Sequence, residues 1–259
     1  MDQVKLDFDP PSALITLNRP QVRNALSPEL VTHFHTALDQ VRERNDVAAV
    51  IVTGKGTAFC GGADLKVLRE IAAQSVEQAR QDSQNLMNFF RRIYEFPKPV
   101  IAAVNGPAMG GGCGLASVCD IVLAAEDAVF GYTEARVGFI PALVAVFLVR
   151  ICGEKKAREL LFTARVFSAQ EAREIGLVNH VVAKDSLLDK ARGLAQEISL
   201  NSPTAVRLTK ELMKDLQGLS LDKGLITALQ MNTLIRTTED FKEGVSGFLE
   251  KRPATWKRR

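Results

Sequence analysis

The chain has 259 residues, 46% of them hydrophobic, and 33 basic against 30 acidic side chains give a formal net charge of +3. That is enough apolar material for one large core, or a core with an appended helical part, and a charge too mild to argue for nucleic acid. Residues 1–11 carry Asp2, Asp7 and Asp9 with no apolar run or basic flank, so no signal peptide is expected, and no stretch is long enough to span a membrane.

In chain order, residues 13–17 read as a strand after Pro10-Pro11. Ser27-Pro28-Glu29 opens a helix with serine at the N-cap and proline at N1, running to about Arg44. Residues 47–53 are the next strand, followed by a loop of small residues at 61–66 and a helix from about Val76 to Tyr94. Residues 100–104 form an apolar run bounded by Pro99 and Asn105-Gly106, the pattern of a strand buried on both faces. The apolar stretch 115–118 reads as the start of a buried helix, and 121–124 as another short strand. This alternation predicts parallel β-α-β units.

Beyond Pro141 the strand signals thin out. Residues 143–151 are apolar all round and end at Gly153, which predicts a buried helix. Ser168-Ala169-Gln170-Glu171 has the spacing of a capping box, with Gly176 at the helix stop. Residues 186–200, 202–216 and 239–251 complete a helical C-terminal part. No low-complexity linker or solenoid repeat interrupts the chain.

Chemistry points to two glycine-rich turns. Gly106, Gly110, Gly111, Gly112 and Gly114 crowd the turn after the central strand, where backbone can approach a ligand and a helix start can offer free N–H groups to negative charge. The spacing fits neither the dinucleotide fingerprint, whose third glycine falls on Leu115 or Ser117, nor a P-loop, whose Lys and Ser/Thr positions hold Cys113 and Gly114. Tight packing of a helix on a strand is the other reading of such a cluster. Phe59-Cys60-Gly61-Gly62-Ala63-Asp64-Leu65-Lys66 repeats the same order of strand, small residues and incipient helix. Cys60, Cys113, Cys119 and Cys152 lack C-x-x-C spacing, so reduced thiols of a cytoplasmic protein are expected. His33 and His35 fall on different helix faces and His180 stands alone, so surface histidines and no metal site are expected.

Through Asn18-Arg19-Pro20 with Asn24-Ala25-Leu26, the Gly61–Lys66 segment, residues 98–112, Cys119-Asp120 and residues 130–141, the chain resembles the enoyl-CoA hydratase/isomerase (crotonase) superfamily. Within it the chain is most similar to bacterial enoyl-CoA or methylglutaconyl-CoA hydratase-like proteins. The resemblance implies an α/β fold of repeated β-β-α units with a C-terminal helical trimerisation region. Residues 1–195 would be the core with the acyl-CoA site, and 196–259 the helical part that oligomerises and completes it, in a homotrimer or homohexamer. It further implies a cytoplasmic enzyme of fatty acid metabolism and β-oxidation that needs no cofactor, CoA being part of the substrate. The backbone N–H groups of Ala63 and Gly111 would form an oxyanion hole for a thioester oxygen. Arg23, Ala25, Gly61, Ala63, Asp64, Leu65 and Gly111 would bind the substrate, and basic residues near the chain end would meet the CoA phosphates.

Glu134 is the candidate catalytic acid/base. It sits between apolar residues 128–130 and 137–141, which predicts half-burial and a raised pKa. Hydratases of the family usually carry two glutamates; the corresponding positions here are Gly114 and Glu134. Residues 142–146 also depart from the family's glycine-rich segment and make the wall more apolar. Two carboxylates divide the labour of adding water, whereas one suits a proton shuttle. The favoured reading is a hydratase, with a hydroxyl of Tyr132, Thr133 or Ser117 available to assist, and the alternative is a Δ3-Δ2-enoyl-CoA isomerase. An RNA-binding role for Lys251-Arg252 and Lys257-Arg258-Arg259, or acyl-CoA binding without turnover, ranks below both. Leu68, Met87 and Phe90 are candidates for an acyl pocket or for core.

Overall fold

The computed structural model describes residues 2–64, 69–70 and 73–257. Its main sheet runs in the order β1 (Val4–Asp9), β2 (Ser12–Leu17), β3 (Ala49–Gly54), β4 (Val100–Val104), β6 (Ile121–Ala125), β9 (His180–Val182). Within this sheet, among the described residues, only the β1–β2 pair is antiparallel. Every residue of β3 and β4 is buried, as continuous apolar runs in a parallel sheet demand. β1 lies at the edge and alternates between inward and outward faces, so its Lys5, Asp7 and Asp9 hide the strand from a search for apolar runs. A second sheet is built from very short strands, β5 (Ala108–Met109), β7 (Val129–Gly131) and β8 (Val166–Ser168).

The α-helices with both ends among the described residues are α1 (Pro28–Arg42), α2 (Val76–Tyr94), α3 (Gly111–Ser117), α4 (Ala142–Thr163), α5 (Ala169–Glu174), α6 (Leu187–Ser199), α7 (Pro203–Asp215), α8 (Leu221–Ile235) and α9 (Glu239–Leu249). Ser27 caps α1 by accepting from the Leu30 amide at 3.2 Å. Ser75 and Gln78 cap α2 reciprocally. Phe34 of α1 and Phe89 of α2 meet edge to face at 5.3 Å in the core. α6 covers strands β2, β3, β4 and β6. The division drawn at residue 195 therefore falls inside a helix that packs on the sheet. α7 is tied to the sheet through Asp120, which accepts from Lys210 Nζ at 2.6 Å and from the Val100 amide at 2.7 Å.

Four expectations need correction. The buried helix after the glycine turn starts at Gly111, and 115–118 are its end, because the glycines themselves form its first turn. Residues 143–151 are helical but not buried: Val144 and Leu148 are covered, while Val146 and Val149 remain 49% and 42% exposed. A helix apolar all round carries no periodicity to say which side is covered. The capping box at Ser168 is half formed, since Ser168 Oγ accepts from the Glu171 amide but the Glu171 carboxylate pairs with Arg165. His35 is half-buried rather than on the surface, its ring 5.8 Å from Phe89. Burial, with Arg92 nearby, lowers its pKa. Among the described residues no group of three metal-ligating side chains gathers.

Candidate active site

The first half of the site is a loop braced by residues that precede it. Arg23 and Asn24 adopt left-handed backbone, with φ of 53° and 56°. This turns the Asn24 side chain to donate to the carbonyls of Lys55 and Ala58 at 3.0 and 2.8 Å and to accept from the Arg19 amide at 2.9 Å. The Arg19 guanidinium donates to the Ala25 carbonyl at 2.6 Å and to Asp64 Oδ2 at 2.7 Å. Gly61 N–H donates to the Arg23 carbonyl at 2.7 Å. The segment is held to Leu26 as a single parallel bridge: Leu26 N–H donates to Gly62 O at 2.7 Å and Asp64 N–H to Leu26 O at 3.2 Å. In extended backbone alternate residues face opposite sides, so pairing through residues 62 and 64 turns the Ala63 amide away from Leu26.

The second half is the start of α3. Met109 N–H donates to Cys60 O at 2.9 Å, which brings the helix start across the first loop. The crossing is so close that a Cβ at Gly112 would lie 2.2 Å from the Cys60 carbonyl oxygen. Gly62, at φ +90°, would place a Cβ 3.6 Å from the Gly111 nitrogen. Gly111 is the first residue of the helix, so its N–H has no acceptor in the preceding turn. Among the described residues neither the Ala63 nor the Gly111 amide donates to a protein partner. Two free donors from adjoining segments can take one oxygen that gathers negative charge.

Glu134 opens a 3-10 turn, Glu134–Val137, directly after β7. Gly110 N–H donates to Gly131 O at 2.7 Å, which sets this strand against the start of α3. Glu134 Oε1 lies 3.2 Å from the point where Gly110 would carry a Cβ, so glycine at 110 leaves the room that the carboxylate occupies. Oε2 is buried and has no partner among the described residues. Burial raises the Glu134 pKa above the usual carboxylate value, against a smaller lowering by its own backbone N–H. A half-buried carboxylate with one oxygen unpartnered, set against Gly110 at the start of α3, has the means to move protons at carbon next to a carbonyl.

The other sequence-selected residues take varied places. Ala25 is buried, with its carbonyl on Arg19, and Arg23 is exposed behind the Gly61 backbone. Asp64 is 7% exposed and its carboxylate is engaged by Arg19. Leu65, Lys66 and Leu68 lie outside the described residues, as do Arg258 and Arg259. Phe90 is core, Met87 partly exposed. Arg252 pairs with Glu243 and Glu250, each at 2.7 Å, so this part of the basic end is engaged within the chain. Cys60, Cys113, Cys119 and Cys152 are all free thiols.

Sequence reasoning missed the part played by Val144. A Cβ on Gly114 would lie 2.2 Å from Val144 Cγ1 and 3.3 Å from Phe90 Cζ. The two departures at Gly114 and residues 142–146 thus form one packed unit, with an apolar side chain where a second carboxylate would start. The signal was present, but only the fold shows that residues thirty apart touch.

A family model described as enoyl-CoA hydratase/isomerase matches residues 12–259. A Thermus thermophilus protein named "Putative enoyl-CoA hydratase" is 46% identical over 241 residues, covering 93% of this chain and 95% of that protein. The crystal structure of an enoyl-CoA hydratase from Bacillus anthracis has a TM-score of 0.91 at 38% identity, covering 99% of this chain and 100% of the other. One from Mycobacterium smegmatis has a TM-score of 0.92 at 33% identity, with 99% of both chains covered. On this match of sequence and fold, the chain belongs to the enoyl-CoA hydratase/isomerase (crotonase) superfamily.

Proposed function

We propose that the protein is an enoyl-CoA hydratase that adds water across the 2,3 double bond of an enoyl-CoA thioester. The observation that carries this reading is the Glu134 carboxylate held against Gly110, one residue from the free Gly111 amide. The thioester oxygen accepts from the Ala63 and Gly111 N–H groups, which draws electrons from C3. Glu134 takes a proton from water as the water oxygen bonds to C3, and the displaced electron pair moves to the thioester oxygen as an enolate. The protonated Glu134 then gives its proton to C2, the enolate collapses to the thioester, and the carboxylate is restored. One carboxylate acting in turn as base and acid balances the reaction, which as drawn uses no cofactor. Each N–H donor is worth about 2.7–4 kcal/mol of barrier.

The Gly114–Val144 packing favours a second reading, in which Glu134 takes a proton from C2 of a 3-enoyl thioester and returns it to C4. Offering 2-enoyl and 3-enoyl thioesters separately distinguishes the two. The hydratase reading requires water addition to the 2-enoyl compound, lost in Glu134→Gln. Double-bond migration without water addition would replace it with the isomerase.

The substrate reading places CoA over the Gly61–Asp64 loop and Arg23, so a CoA thioester should bind far better than the same acyl group on a short thiol. A trimer or hexamer is proposed on the apolar side chains that α8 and α9 leave exposed, among them Leu221, Leu225, Leu229 and Phe248. Among the described residues no helix is long and apolar enough to cross a membrane.

A further inference from the structure

Tyr132 stands two residues before Glu134 and is fully buried. Its hydroxyl lies 2.8 Å from Ser117 Oγ, and Ser117 Oγ itself donates to the Cys113 carbonyl at 2.8 Å. A serine hydroxyl has one proton, so with that proton on Cys113 O the Tyr132 hydroxyl must be the donor to Ser117. The Cys113 thiol also meets the Tyr132 hydroxyl. Ser117 and Cys113 both belong to α3, the helix whose first residue is Gly111. Behind it the tyrosine ring stacks on Phe167 of β8, with centroids 6.5 Å apart and planes 26° from parallel.

Burial holds the Tyr132 phenol well above its ordinary pKa and pushes the Cys113 thiol up to about 12, so both stay neutral and neither is a proton carrier at neutral pH. Their arrangement joins two pieces of the site. The base comes from the segment after β7, and the oxyanion donor from α3; the Tyr132 hydroxyl is the side-chain tie between them. The Glu134 carboxylate lacks such a tie, since Oε2 has no partner among the described residues.

We infer that Tyr132 is a positioning residue, whose hydrogen bond to Ser117 fixes the register of Glu134 against the Gly111 amide. The inference rests on the role proposed for Glu134. A displacement of about an ångström at a reacting group can lower rate a hundredfold, so a loosened tie should be visible in turnover.

The test is a double-mutant cycle of Tyr132→Phe and Ser117→Ala, with Cys113→Ala as a third variant that keeps the Tyr132–Ser117 bond. Two reactions are followed: hydration of a 2-enoyl-CoA, and exchange of the C2 protons of a saturated acyl-CoA in D2O. Exchange needs only Glu134 and the oxyanion hole, so its presence without hydration would overturn the hydratase reading and still test Tyr132. The expected result is a fall of about tenfold in kcat for Tyr132→Phe, with KM within about twofold. Ser117→Ala should fall equally, the double variant should fall no further, and Cys113→Ala should retain its rate. Thermal unfolding confirms that each variant is folded. Wild-type kcat in folded Tyr132→Phe, equal losses in kcat and binding, or additive losses in the double variant would overturn the assignment.

Discussion

At Glu134 the burial that suits a carboxylate to proton transfer works against the fold. Its pKa is raised above 4.5, so the folded chain holds this proton more tightly than the unfolded chain does. The resulting stabilisation is complete below the unfolded value and is lost as pH rises through the raised folded value. Glu134→Gln should therefore melt above the wild type at pH 7 and converge with it toward pH 4, as followed by thermal unfolding. The same variant should lose about a hundredfold or more in turnover. In the proposed mechanism the carboxylate must be ionised to take the proton from water, so wild-type kcat/KM should fall with acid through a pKa raised above the usual carboxylate value. At the neighbouring position, Gly114→Ala pushes a methyl to 2.2 Å from Val144 Cγ1 and should cost about 1–3 kcal/mol. Adding Val144→Ala should recover part of that loss in denaturant unfolding, while additive losses would show that the two positions do not share the space. The same contact leaves no room for a glutamate at 114 unless Val144 moves.

At the scale of the element, the proposed anion-stabilising role falls to the first residue of α3, Gly111. Gly111→Pro removes that N–H at a helix position where proline is tolerated, and turnover should fall about a hundredfold or more in a folded variant. A Cβ there meets only the flexible end of Leu26, at 3.2 Å. Full activity in folded Gly111→Pro would remove this amide from the mechanism. Elements long enough to show periodicity or a cap were legible in the sequence: β4, α1 from its Ser27 cap, and α2 from about Val76 coincide with their signals. β5 has two residues, and β7, β8 and β9 three each, too short for alternation to register. α8 carries Gly224, no side-chain N-cap bond and no buried residue, so neither cap nor face announced it. Glu134 and the two glycine turns could be selected from residue type and family resemblance. Their convergence, and the packing of Val144 on Gly114, depend on chain crossings that no local pattern encodes.

For the whole molecule, the helices of the C-terminal end are tied to one another by polar contacts while apolar side chains stay exposed on their outer faces. Asp240 accepts from Ser202 Oγ at 2.7 Å and from the Thr204 amide at 3.1 Å, and Trp256 Nε1 donates to Leu200 O at 2.8 Å, so α9 and the following segment are pinned to α7 and the end of α6. Leu221 and Phe248 remain 78% and 84% exposed on this scaffold. Sedimentation should therefore show an assembly, and Leu229→Lys on the same face should shift it toward smaller species; a wild-type monomer would contradict the proposal. The central claim is that a single carboxylate, Glu134, working beside the Ala63 and Gly111 amides, suffices to add water. The most direct measurement is the rate of water addition to a 2-enoyl-CoA by the wild type and by Glu134→Gln, with a 3-enoyl-CoA assayed in parallel. Hydration by the wild type that collapses in the variant is the predicted result; migration of the 3-enoyl double bond with no water added to the 2-enoyl thioester would contradict it.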